Sequence, residues 1–283
     1  MRAIGNILKW LVFTNVFIAL CAVIMSWQAA FLFQLELPPA LLPFIFFASL
    51  SSYSFHWYLS FDDISESPRI QWLRRNRNVH ISLFIAGMAG AIYFGLPLLP
   101  WWPWLALSVV ITFLYSAPKI PWQVFRTLRR IAYGKTIFLA MVWTYVTTVL
   151  PLVMSNATWT NGFTLLVISR FFLIYAICIL FDYRDRDYDR RIGIRSLITW
   201  FNERQIALLF AFSIAVFFIS TLALYFHALS VISIFLLIVP GILTAVSYPL
   251  ATRNFSDYLY YAWLDGLMAV SSLLMWLLHL IKS

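Results

Sequence analysis

Charge is scarce in this chain of 283 residues, which holds 20 Lys+Arg and 11 Asp+Glu. A soluble domain carries about 25% charged residues and roughly 45–50% apolar ones. The scarcity excludes an ordinary soluble fold and a charge-rich disordered tail. Cysteine is scarcer still, at two. Cys21 and Cys178 both fall inside apolar stretches, so a disulfide scaffold is excluded and both read as small apolar side chains. Histidine numbers four, and no pair has metal-ligand spacing, which argues against a zinc or haem-ligand site. A cleavable signal peptide is not expected, because the first apolar stretch is too long and lacks a small-residue cleavage site.

What the chain has instead is apolar surface. Apolar residues make up 63% and aromatic ones 19%. A membrane span needs about 20 predominantly apolar residues. Nine such stretches are bounded by Pro, Asn or charge, near 8–33, 37–61, 79–98, 100–116, 132–154, 161–181, 205–227, 229–251 and 257–281. In lipid every backbone group must be satisfied internally, so these are expected to be helices. Pro97, Pro100 and Pro103 predict a tight turn between the third and fourth, and Pro240-Gly241 predicts a kink in the eighth.

The basic residues orient the bundle. Of the 20 Lys+Arg, 18 fall on the N-terminus or in the connections after even-numbered spans. Lys282 is alone on the other side, and Arg170 lies inside the sixth span. The positive-inside rule then puts the N-terminus in the cytoplasm and the C-terminus outside. The net charge of +9 needs no nucleic acid; it reads as topology, or as an anionic ligand or lipid at the cytoplasmic face. The segments 69–77 and 122–130 interleave bulky apolar residues with arginines, as short interfacial helices do. They read as headgroup anchors or as lids over a site. Arg170 and Asp265 need partners inside the spans, either each other or separate hydrogen bonds to neighbouring helices. His80, His227 and His279 lie at span ends and read as interfacial.

Four of the 11 acidic residues fall within FDYRDRDYD: Asp182, Asp185, Asp187 and Asp189. If the sixth helix continues here, Asp185 and Asp189 lie at about 300° and about 340° from Asp182, on one stripe. Asp187 falls on the other side. Carboxylates on one stripe repel unless a cation sits among them, and hard oxygen ligands suit Mg2+. The plainer reading is a charge-balanced helix end with Arg184, Arg186, Arg190 and Arg191 as partners.

Asp182, Asp185 and Asp189, followed by Gly193-Ile194-Arg195-Ser196-Leu197, resemble the second aspartate-rich motif of the UbiA superfamily of intramembrane prenyltransferases. The nine-span layout is similar too, as is Leu114-Tyr115-Ser116 followed by Pro118-Lys119. The resemblance implies an all-α polytopic membrane protein, one domain over 1–283, with nine transmembrane helices around a central cavity open to the cytoplasmic face. It implies transfer of a prenyl group from an isoprenyl diphosphate to a lipophilic or aromatic acceptor such as a quinone precursor. Mg2+ would be the cofactor, a bacterial inner membrane the expected location, and the lipid bilayer the setting.

Carried over residue by residue, Asp182, Asp185 and Asp189 become the catalytic and metal-holding carboxylates. Lys119, Arg126, Lys135, Arg195 and Tyr115 become candidates for the diphosphate. The first motif of the family is degenerate: Ser54 and Tyr58 stand where Asn and Asp are expected, and Asp62 keeps the last carboxylate. Asp63 or Glu66 offer another register. His56, nearby, is expected to be hydrogen-bonded inside the bundle. A divergent or non-catalytic prenyl- or lipid-binding protein on the same scaffold is the alternative. A transporter is disfavoured, since the charges gather at one face and no inverted repeat is evident.

Overall fold

The computed structural model describes residues 2–59, 67–117, 135–191, 196–227 and 229–282, with side chains from residue 7 to residue 281. Among these residues every regular element is helical. In chain order they are α1 Arg2–Phe13, α2 Val16–Phe31, α3 Leu41–Tyr58, α4 Pro68–Arg75, α5 Arg77–Gly95, α6 Trp102–Ser116 and α7 Lys135–Thr144. After a π-turn at Tyr145–Val149 come α8 Leu150–Met154, α9 Asn161–Arg191, α10 Leu197–Trp200, α11 Glu203–Ala223 and α12 Val231–Ala251. A second π-turn, Leu259–Leu264, leads into α13 Asp265–Leu267 and α14 Val270–Lys282.

Local chemistry sets several of these boundaries. Ser67 caps α4 ahead of Pro68, which suits the first helical turn because its missing N–H has no partner there anyway. Reciprocal capping boxes open α10 (Ser196 with Thr199) and α11 (Asn202 with Gln205).

Among the described residues, five helical segments qualify by length and composition to cross a membrane, or up to seven if each of two bent pairs is one span. α3 is not among them, because its last turns carry Ser51, Ser52, Ser54 and His56. The run Arg77–Ser116 counts once, yet it reverses. A straight helix of its length would reach about 60 Å. Instead Arg77 at its start meets Tyr58 at 2.9 Å, and Ser116 at its end meets His56 at 3.3 Å, both near the end of α3. The reversal falls at the 3-10 turn Leu96–Trp101, where Pro97 and Pro100 deny the backbone its donors. Trp101 holds the turn to Asn156 at the opposite end of the bundle.

Two of the expected spans are bent. The first, read as 8–33, breaks by 74° between Phe13 and Val16. Asn15 takes the left-handed conformation at φ 65°, which Asn tolerates better than most residues. The apolar run looked continuous because Val12 and Phe13 are themselves buried, Phe13 against Trp72 and Tyr258. The last span bends by 59° after Leu267.

Helix α9 is the axis of the bundle, packed by α7, α11 and α12. α14 returns to α2, so the first and last spans are neighbours. α5 lies along α3, with Ile85, Met88, Ile92 and Tyr93 left facing outward. That contact is close because of Gly87, where an added Cβ would sit 2.8 Å from Ser51 N and 2.9 Å from Phe47 O. Backbone atoms cannot step aside as a side-chain tip does, so Gly87→Ala should destabilise by about 1–3 kcal/mol. Thermal unfolding in detergent measures this; an unchanged midpoint would mean that the two helices separate freely.

Arg170 follows the second of its two readings. It does not pair with Asp265. Its guanidinium donates to Met25 O at 2.8 Å, to Thr147 O at 3.3 Å and to Gln28 Oε1. Thr147 O is open to it for a local reason: Pro151, four residues on, has no N–H to bond that carbonyl. Ser271 and Ser272 also donate to Gln28 Oε1, and Gln28 donates to Met275 Sδ. His80 departs from the interfacial reading, being fully buried edge-on to Trp72. His56 fulfils the expectation of a bundle histidine, bonded to Ser116 and stacked on Tyr115.

Candidate active site

Helix α9 runs unbroken to Arg191, so the aspartates do occupy its last turns. Asp182 and Asp189 are seven residues apart, almost two full turns, and share one face. Both are buried. Lys135, at the start of α7, places its ammonium 3.8 Å from Asp182 Oδ1 and 3.7 Å from Asp189 Oδ2. Thr136, the next residue, donates a hydroxyl to the other oxygen of Asp182. Tyr115, at the end of α6, is within electrostatic reach of Lys135, Asp182 and Asp185. Thus Tyr115, Lys135, Asp182 and Asp189 gather at one end of the axis helix, and Thr136 joins them with no signal in the sequence beyond its adjacency to Lys135.

Asp185 is within electrostatic reach of Asp182, Asp189 and Lys135 but has a cation of its own. Its carboxylate takes two bonds from Arg184, at 2.8 and 3.3 Å, and its side chain is 39% exposed. Arg184 reaches onward to the hydroxyl of Tyr261 at 2.9 Å. Among the described residues no three His, Cys, Asp or Glu side chains come together as a metal cage. The other arginines of the cluster serve the fold. Arg186 pairs with Glu203 and donates to Phe201 O at 2.6 Å, while Arg190 donates twice to Thr199 O. They pin the end of α9 to the segment before α11.

Beside this cluster lies a second cation, from the segment that the sequence suggests is a headgroup anchor or a lid over a site. Helix α4 is amphipathic as expected, with Arg74 and Arg75 exposed. Arg69, however, is buried, its guanidinium between the rings of Trp57 at 4.1 Å and Tyr261 at 4.0 Å. It donates to Asn15 Oδ1, and its own N–H donates to Asp257 Oδ2, each at 2.8 Å. Burial holds this guanidinium below its ordinary value, against the pull of Tyr261, Asp265 and Asp257. Arg69 and Arg184 are also the positive charges that reach Asp265. Arg69, Tyr261 and Arg184 thereby form a continuous path from α4 to Asp185.

The first motif is only partly in view. Ser54 is buried, with its hydroxyl unpartnered among the described residues. The Tyr58 hydroxyl accepts from Arg77 at 2.9 Å, with the guanidinium over its ring, which turns it towards α5. Asp62, Asp63, Glu66, Lys119, Arg126 and Arg195 lie outside the described residues. A separate groove of about 500 Å³ opens at the far end of the bundle, between Trp27, Phe31, Leu37, Leu42 and Leu229.

The donor set fits a divalent cation. Mg2+ is usually held by one or two carboxylates, with substrate phosphates and waters completing the shell. Asp182 and Asp189 supply two hard oxygens converging on one cation position, and Asp189 Oδ2 accepts no hydrogen bond although it is buried.

No family model matches this chain, and no curated protein does. Solved structures are similar to it over nearly their whole length. One is the apo structure of a UbiA homologue from Aeropyrum pernix K1, with TM-score 0.67 and 14% identity over 92% of this chain and 98% of that one. Another is a UbiA homologue from Archaeoglobus fulgidus bound to GPP and Mg2+, with TM-score 0.65 and 14% identity over 94% and 98%. The chain is therefore a multi-helix protein with the fold of the UbiA homologues.

Proposed function

We propose that this protein transfers a prenyl group from an isoprenyl diphosphate to a lipophilic or aromatic acceptor within the membrane, with Mg2+ as cofactor. The observation that carries the reading is the pair Asp182 and Asp189 converging on one cation position at the end of the axis helix. The fold supports it, since a homologue of that fold binds GPP and Mg2+. Nine spans, a cytoplasmic N-terminus and a mouth on the cytoplasmic side belong to the same proposal, as does a bacterial inner membrane.

In this reading Asp182, Asp185 and Asp189 would hold Mg2+, with Asp62 as a further candidate ligand. When bound, Mg2+ neutralises charge that builds on the departing diphosphate. Lys135 adds a positive charge at the same place, and Tyr115 a hydroxyl donor. Thr136 fixes the orientation of Asp182. Lys119, Arg126 and Arg195 complete the grip on the diphosphate. The bond between the allylic carbon and the diphosphate oxygen breaks, and the acceptor attacks that carbon. Aromatic walls shield the positive charge that appears there.

A second reading has one observation in its favour. Tyr58 stands where the first motif should have a carboxylate, and it is engaged by Arg77. That arrangement suits a protein that binds prenyl diphosphate without cleaving it. Membranes containing the protein and supplied with radiolabelled GPP and Mg2+ separate the two. Label moving into a larger lipid, with diphosphate released, supports transfer. Tight binding with no diphosphate release supports the second reading.

A further inference from the structure

The cation position between Asp182 and Asp189 is filled by the protein's own ammonium. Lys135 Nζ stands 3.8 and 3.7 Å from the two carboxylates, beyond hydrogen-bond distance of either, so it is shared between them. Among the described residues no other cation is in ion-pair contact with either carboxylate, and Arg184 is bonded to Asp185 and Tyr261. Asp189 Oδ2, buried and without a hydrogen bond, is directed at that ammonium. Thr136 locks the far oxygen of Asp182, which leaves Oδ1 for the shared position.

We propose that Lys135 is a built-in counter-ion that keeps divalent metal out of the empty site, so that Mg2+ is taken up together with diphosphate and not ahead of it. The argument is a charge count. Two buried carboxylates that face one ammonium require neutralisation, and among the described residues Lys135 supplies half of it while lying where a metal would lie. A divalent ion entering alone meets a like charge at close range. A diphosphate brings several negative charges, and then the ammonium and the metal are both needed. Lys135 therefore opposes metal binding before the diphosphate arrives and supports ligand binding after it.

This inference rests on the prenyl diphosphate reading for its second half only. The test uses the full chain in detergent micelles. Free Mn2+ is followed by its paramagnetic signal as a stand-in for Mg2+, without any diphosphate. Lys135→Met should bind Mn2+ at least about tenfold more tightly than the parent, since the like charge is gone. Lys135→Arg should stay with the parent, and adding Asp182→Asn to Lys135→Met should abolish the gain. GPP at saturating Mg2+ should bind Lys135→Met more weakly than the parent. Mn2+ affinity that is unchanged or reduced in Lys135→Met overturns the proposal, and so does a gain that survives loss of Asp182. If Lys135→Met fails to fold, Lys135→Gln carries the same comparison. GPP binding to neither parent nor variant, with the Mn2+ gain intact, removes the prenyl diphosphate reading and leaves the counter-ion role standing.

Discussion

Replacing Asp182 with asparagine should lower Mg2+-dependent consumption of an isoprenyl diphosphate by about 10²–10³-fold, the size seen when one preorganised electrostatic partner is removed. The substitution keeps shape and removes a charge. Thr136 can still donate to the remaining side-chain oxygen, and Lys135 still has Asp189, so the turn of α9 should hold its position. What is lost is one of the two oxygens that converge on the cation position. The assay is release of labelled diphosphate in membranes that supply the acceptor. A melting temperature equal to that of the parent shows that the loss is chemical and not structural. Full activity in Asp182→Asn would sink the prenyltransferase reading.

Arg170→Ala should cost about 2–4 kcal/mol of stability, the range for truncating one partner of a buried charged network. Arg170 is only 5% exposed and binds two backbone carbonyls and Gln28, drawn from α2 and from the π-turn Tyr145–Val149. Truncation takes the guanidinium away from the Met25 and Thr147 carbonyls, while Gln28 keeps the hydroxyls of Ser271 and Ser272. Lysine offers no remedy, because a single ammonium cannot span the positions that the guanidinium fork reaches. Thermal unfolding in one detergent reads the effect. Combining Arg170→Met with Gln28→Met should recover part of the loss, since replacing both partners by apolar groups is milder than orphaning one. Strict additivity of the two substitutions would show that they do not act as a unit.

The helical bundle and the cation site were legible to different depths. Long apolar runs in lipid favour helices, so the all-helical character of the fold followed from composition. Period 3.6 placed Asp182 and Asp189 on one face, and they are on one face. The same period placed Asp185 beside them. Asp185 is within electrostatic reach of them, and what the period could not show is its bond to Arg184, the preceding residue. Arg170 was legible as a residue in need of partners, but backbone carbonyls of other helices leave no trace in sequence. Only Pro151, which frees Thr147 O, was visible beforehand. Arg69 sat in a basic run that resembles a headgroup anchor, and nothing in that run marks one arginine as buried. The bend at Asn15 was hidden by the apolar residues on both sides of it.

The partners of Gln28 have a bearing on how the protein is made. Ser271 and Ser272 are bonded to it from 243 and 244 residues further along the chain. At about 5–20 residues per second, a ribosome needs roughly 10–50 s to cover that distance. Arg170 emerges well before them, so the amide and the guanidinium can meet while the hydroxyls of the last span are still unmade. For that interval the polar heart of the bundle is open on the side that α14 later closes. Insertion of the final span is thus the step that seals α2, and a chain stalled before residue 271 would present an unsealed amide to lipid or to the machinery that disposes of unfinished proteins.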